Sequence, residues 1–72
     1  KDLIIKNGIL HIQSTSTFNR FKIYSTTGSL IMDQLADRLF YEIDIHHLAN
    51  GIYIVELIDL HSNKSVRTKL VK

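Results

Sequence analysis

Phe21-Lys22-Ile23-Tyr24-Ser25-Thr26-Thr27-Gly28-Ser29-Leu30-Ile31-Met32 reads as two strands folded back on one another. Phe21 and Ile23 alternate with Lys22 and Tyr24, the period-two pattern of a strand with one buried face. Gly28 closes a turn of about four residues, suited to a type I turn followed by a left-handed residue. Leu30-Ile31-Met32 is too short to assign by periodicity, but its place after the turn makes it the second arm of a hairpin. Asp33 to Arg38 continues this arm or, as the alternative, forms a helical turn that neither a cap nor an apolar face extends.

The same alternation spreads outward from this hairpin. Tyr41, Ile43 and Ile45 point one way and Glu42 and Asp44 the other, and Leu48 tucks inward as the chain turns. Ile52 to Leu60 is apolar on both parities apart from Glu56 and Asp59, which predicts a central strand covered on both sides and the best protected of the fold. His61-Ser62-Asn63-Lys64 is a polar hairpin loop. Val66, Thr68 and Leu70 then alternate with Arg67, Lys69 and Val71 in a last strand. Towards the start, Leu3-Ile4-Ile5 and Ile9 to Ile12 flank Asn7-Gly8, a turn or bulge whose glycine takes positive φ at little steric cost. Many short strands with turn signals between them indicate an all-β sandwich or barrel of about seven strands. The expected core holds Phe21, Ile23, Ile43, Ile45, Tyr53, Val55 and Leu57, with Phe18, Phe40 and Tyr41 adding aromatic bulk in a chain that has no Trp and no Cys.

Seventy-two residues, 44% of them hydrophobic, make one domain spanning 1–72, near the size at which stability is marginal. Without cysteine, no disulfide or thiolate zinc site supplements the core. No apolar run approaches the roughly 20 residues needed to cross a bilayer, and the Lys1 end lacks the apolar stretch of a signal peptide, so an export signal is expected upstream on a longer precursor. A net charge of +2 is mild for nucleic-acid binding, which needs a dense basic face.

Four histidines raise the question of a metal, but adjacent His46 and His47 would face opposite sides of a strand, and only Asp44 with His46 shares a face. Ser, His and Asp occur without a Gly-x-Ser-x-Gly elbow and sit beside turns, where a water-excluding cleft is hard to build, so no enzyme activity is expected. Tyr41 and Tyr53 run in phase with apolar neighbours, which leaves too few exposed aromatics for a nucleic-acid stacking platform. Asn63-Lys64-Ser65 fits the short N-glycosylation pattern. Lys64, Arg67, Lys69 and Lys72 put four cations in the last nine residues with no acid among them. Lysine on an edge strand discourages uncontrolled sheet pairing, and the same basic strand offers a partner both a backbone edge and charge to grip.

The order of these features resembles the type A C-terminal sorting domain of type IX secretion cargo proteins: a strand, a turn closing on Thr27-Gly28, an Ile-Asp-like strand at Ile43-Asp44-Ile45, the Leu48-x-x-Gly51-x-Tyr53 turn, and the basic, apolar end Lys69-Leu70-Val71-Lys72. The Pro-Asn-Pro-like opening common in that family is missing, and Asn7 to Ile12 resembles the strand that follows it. The resemblance implies an Ig-like antiparallel β-sandwich that is the single C-terminal domain of a larger secreted precursor, does no chemistry and carries no cofactor. It implies transit through the periplasm of a Bacteroidetes-type bacterium, recognition by the outer-membrane translocon, removal by a sortase-like cysteine protease, and delivery of the cargo to the cell surface or exterior. The implied recognition residues are Arg67, Lys69, Leu70, Val71 and Lys72 of the terminal strand; Gly28, Asn50, Gly51 and Tyr53 form structural turns, with positive φ expected at Gly28 and Gly51. The competing readings are a carbohydrate-binding or adhesive β-sandwich, which needs an exposed aromatic platform, and a structural accessory domain of a secreted enzyme, which needs an apolar outer patch.

Overall fold

A computed structural model describes the backbone of residues 2–72 and the side chains of all of these except 2, 15–17, 37 and 38. Five antiparallel strands follow in order: β1 (Asp2–Lys6), β2 (Ile9–Ser25), β3 (Leu30–Asp44), β4 (Ile52–Asp59) and β5 (Lys64–Val71). No helix occurs among the described residues, and Asp33 to Arg38 belongs to β3, so the second arm of the hairpin continues where a helical turn was the alternative.

β2 and β3 are too long to serve a single flat sheet, and the inward side chains show where each bends. In β2 the buried residues are Leu10 and Ile12 at the start but Phe21 and Ile23 at the end, a change of parity. The pairing with β3 is irregular between Gln13 and Phe18 and again between Phe18 and Arg20. Extra residues at such bulges turn the strand and reverse which parity faces inward. The first half of β2 therefore pairs with β1 and with residues 40–44 of β3, whereas its second half pairs with residues 30–35 of β3 and with β4, which in turn pairs with β5. Counting each bent strand twice gives the seven strands expected, in two antiparallel layers of a sandwich-like all-β fold.

One core fills the space between the layers. Leu10, Ile12 and Ile43 enter it from one side and Phe21, Ile23, Val55, Leu57 and Leu70 from the other. The rings of Phe21 and Tyr41 meet across it with centroids 5.5 Å apart. All seven core residues expected from parity are buried, and so is Leu48. Two expectations need correction. Phe40 does not contribute bulk to the core: it is 50% exposed on the outer face, where its ring lies 6.3 Å from that of His11. β4 is central in its layer, but Ile52 on its outer face is exposed and Ile54 and Ile58 are half-buried; the outer side is closed only at Glu56.

The turns follow their glycines. Asn7 (φ 53°) and Gly8 (φ 75°) form a two-residue connection between the paired Lys6 and Ile9, the type I′ geometry that matches strand twist. Gly28 (φ 89°) ends the turn in which its own N–H donates to the Ser25 carbonyl at 3.0 Å. The polar loop between β4 and β5 closes with Asn63 at φ 56°.

A candidate recognition edge at the terminal strand

Among the described residues β5 pairs only with β4, so its other side is an open edge of the sheet. Alternation along it separates two sets of side chains. Leu70 points inward and is 4% exposed, while Arg67, Lys69 and Val71 point outward and are exposed. Of the five terminal-strand residues singled out by the sequence, these three are exposed on the outer face, whereas Leu70 and Lys72 turn to the body and hold the strand down.

Lys72 does so through both its backbone and its side chain. Its N–H donates to the Gly51 carbonyl at 2.8 Å and its carbonyl accepts from the Gly51 N–H at 3.0 Å. Its ammonium donates to the carbonyl of Ile45 at 2.7 Å, to that of His46 at 3.4 Å, and to that of Leu48. An ammonium has three protons to give, and here each meets an oxygen of the same turn.

The Leu48-x-x-Gly51-x-Tyr53 segment makes the socket. Buried Leu48 pins the turn to the core, and its N–H donates to the Ile45 carbonyl at 3.1 Å. The Tyr53 hydroxyl reaches back to the carbonyl of Ala49 at 2.5 Å, the arrangement of a tyrosine corner at a strand entry. Asn50 is exposed between them. Gly51 has φ 159°, positive as expected yet close to extended backbone, and its distinctive contribution is the double backbone pairing with Lys72.

Beside the edge lies a polar cluster that the sequence reading missed. The Tyr24 hydroxyl donates to Glu56 Oε1 at 3.1 Å, Arg67 Nε donates to Glu56 Oε2 at 3.4 Å, and the Arg67 guanidinium stands 5.5 Å from the Tyr24 ring centre. Burial pushes the Glu56 carboxyl up, but the hydrogen bonds from Tyr24 and Arg67 and the Arg67 charge outweigh it and hold the group below its ordinary range. Glu56 was visible as an acid within an apolar run, though its partners come from strands 32 and 11 residues away and were not. Elsewhere, Arg20 makes a bidentate pair with Asp33 at 2.6 Å, and this hydrogen bonding lowers the Asp33 carboxyl.

Two of the histidines pair with acids of β3. His11 Nδ1 lies 3.0 Å from Glu42 Oε2, and His46 Nδ1 2.7 Å from Asp44 Oδ1. The two side chains that shared a face as potential ligands thus bond to each other. Among the described residues no group of three or more His, Cys, Asp or Glu is gathered as a metal site would require, and no helix is long and apolar enough to cross a membrane.

Comparison with curated proteins and with solved structures found no match. Residues 6–72 match the family described as secretion system C-terminal sorting domain, a family of type IX sorting signals that is non-catalytic in general, and nearly the whole fold lies within the match. The chain therefore belongs to the C-terminal sorting domain family of type IX secretion.

Proposed function

We propose that this chain is the Ig-like address label of a larger cargo protein, and that the outer-membrane translocon of a Bacteroidetes-type bacterium reads it from the periplasm at the open edge of β5. The observation that carries this reading is the division of labour in the terminal strand. Leu70 and Lys72 fix β5 to the body, while Arg67, Lys69 and Val71 face outward beside an unpaired backbone edge. An edge of this kind offers main-chain hydrogen bonds to an added strand, and its cations steer an oppositely charged partner onto it. The module itself carries out no chemistry. A sortase-like cysteine protease separates it from the cargo, which ends at the cell surface or outside the cell.

The test is a reporter fused ahead of the domain in a bacterium that has the type IX machinery. The intact domain should carry the reporter to the surface. Deleting 69–72 would remove the anchors Leu70 and Lys72 together with the outward residues, so the informative variant is Lys69→Glu with Val71→Glu, which keeps both anchors. It should remain folded and leave the reporter in the periplasm. Undiminished surface display by this folded variant would remove the terminal strand from the mechanism, and failure of the intact domain to export any reporter would remove the sorting role.

A further inference from the structure

The fold exposes two strand edges of opposite charge whose side chains fit one another. The second half of β3 is the outer strand of its layer, since β3 pairs with β2 alone among the described residues, and β5 is the outer strand of the other. On the outward face of β3 stand Phe40, Glu42 and Asp44; on that of β5 stand Arg67, Lys69 and Val71. Each set occupies alternate positions, with an apolar residue at one end and two like charges beside it. Laid antiparallel, the two strands place Phe40 against Val71, Glu42 against Lys69 and Asp44 against Arg67 in one register. Phe40 and Val71 are 50% and 63% exposed, so each leaves apolar surface in water that the other would cover.

We infer that two copies of this chain associate edge to edge, the second half of β3 in one copy pairing antiparallel with β5 of the other in that register. Charge selects this pairing over either edge meeting its own counterpart. Two β5 edges would bring Arg67 and Lys69 against their own kind, and two β3 edges would oppose Glu42 and Asp44; like charges directly across a strand pair are unfavourable. Glu42, Asp44 and Arg67 already contact His11, His46 and Glu56, but each of the three is more than half exposed, where such pairs are weak and a second partner is accommodated. One short pair of strands buries far less than the ~1,600 Å² of a standard interface, so the association is weak and shows only at high concentration. It covers the edge that we assign to the translocon, and the monomer is the form in which that edge is open.

Sedimentation velocity of the chain across a concentration series, at low and at high salt, should show self-association that weakens as salt rises. Glu42→Lys and Lys69→Glu should each weaken it by about tenfold or more, because each sets like charges opposite one another. An equimolar mixture of the two variants should assemble again, because opposite charges return at both possible contacts. At one, the cation introduced at position 42 meets the anion introduced at position 69 of the other variant; at the other, the unaltered Glu42 meets the unaltered Lys69. Circular dichroism matching the parent fold would establish that the variants remain folded, as expected for exposed positions. A chain monomeric up to about 1 mM, self-association unaffected by either reversal, or a mixture that fails to recover would each overturn the pairing.

Discussion

The ammonium of Lys72 donates to the carbonyl oxygen of Ile45 at 2.7 Å and so joins the end of the terminal strand to the place where the chain leaves β3. Those two segments belong to different layers of the sandwich, and few backbone pairs hold the turn between β3 and β4. Lys72 supplies the link with one side chain and two backbone hydrogen bonds. The basic end of the chain thus has two jobs in nearby residues: Lys72 stabilises the fold and Lys69 faces the surroundings.

Replacing Lys72 by Met should therefore destabilise the domain by about 2 kcal/mol, since charge-assisted hydrogen bonds to several carbonyls are lost and the turn is left partly unsatisfied. Lys69→Met, at an exposed position, should stay within about 0.5 kcal/mol of the parent. Urea unfolding midpoints at unchanged slope measure both. Equal effects of the two substitutions would show that the Lys72 contacts contribute nothing specific.

The glycine turns should respond differently to a methyl group. Gly28 has open space where a Cβ would point, so Gly28→Ala should cost only the backbone penalty of a left-handed L-residue, about 1 kcal/mol. At Gly8 the same atom would run into the imidazole of His46, so Gly8→Ala should cost more. Removing the ring with His46→Ala should recover part of that excess, and a thermal double-mutant cycle would read it as a coupling. Strict additivity would mean that the His46 ring does not rest on the turn.

Tyr53→Phe removes the hydroxyl bonded to the Ala49 carbonyl and leaves the ring in the core, and should lower stability by about 1 kcal/mol. Amide exchange should quicken chiefly at the N–H groups of Leu48 and Gly51, whose bonds close the same turn. A loss spread evenly over all strands would argue against a local corner.

Much of this was legible from alternation. The parity of Phe21 and Ile23, of Ile43 and Ile45, and of Tyr53, Val55 and Leu57 identified the buried faces, because a half-covered strand has no other way to dispose its apolar side chains. Continuity was not legible. Ile9 to Ile12 and the strand at Phe21 read as separate strands, whereas the backbone runs on as one strand whose pairing with β3 shifts register between Gln13 and Phe18 and between Phe18 and Arg20, and so carries β2 from one layer to the other. Phe40 misled for a related reason, since hydrophobicity alone suggested the core while its parity, opposite to Tyr41 and Ile43, placed it outside. In the candidate recognition edge, the outward residues Arg67, Lys69 and Val71 followed from period two, but the anchoring by Lys72 depends on carbonyls more than 20 residues away, and no local pattern encodes it.

Stability should fall with acid in a way that Glu56 partly sets. Its carboxyl is held below the ordinary value near 4.5 because hydrogen bonds from Tyr24 and Arg67 and the Arg67 charge outweigh the burial that pushes it up. A depressed folded value means that the unfolded chain takes up the proton first as pH drops, so the charged group adds stability above its ordinary value and loses that contribution as pH falls through the folded one. Asp33, Asp44 and Asp59 are lowered as well, by hydrogen bonds from Arg20, from the His46 backbone and from Ser62 respectively, and they deepen the same acid limb. Glu56→Gln removes one titration and keeps the shape, so the variant should be less stable than the parent at about pH 7, and the gap should narrow as pH falls below about 4.5 while the three aspartates still drive a shared decline. Urea unfolding of both chains across that range is the measurement. A gap that stayed constant or widened in acid would show that Glu56 is not held charged by Tyr24 and Arg67.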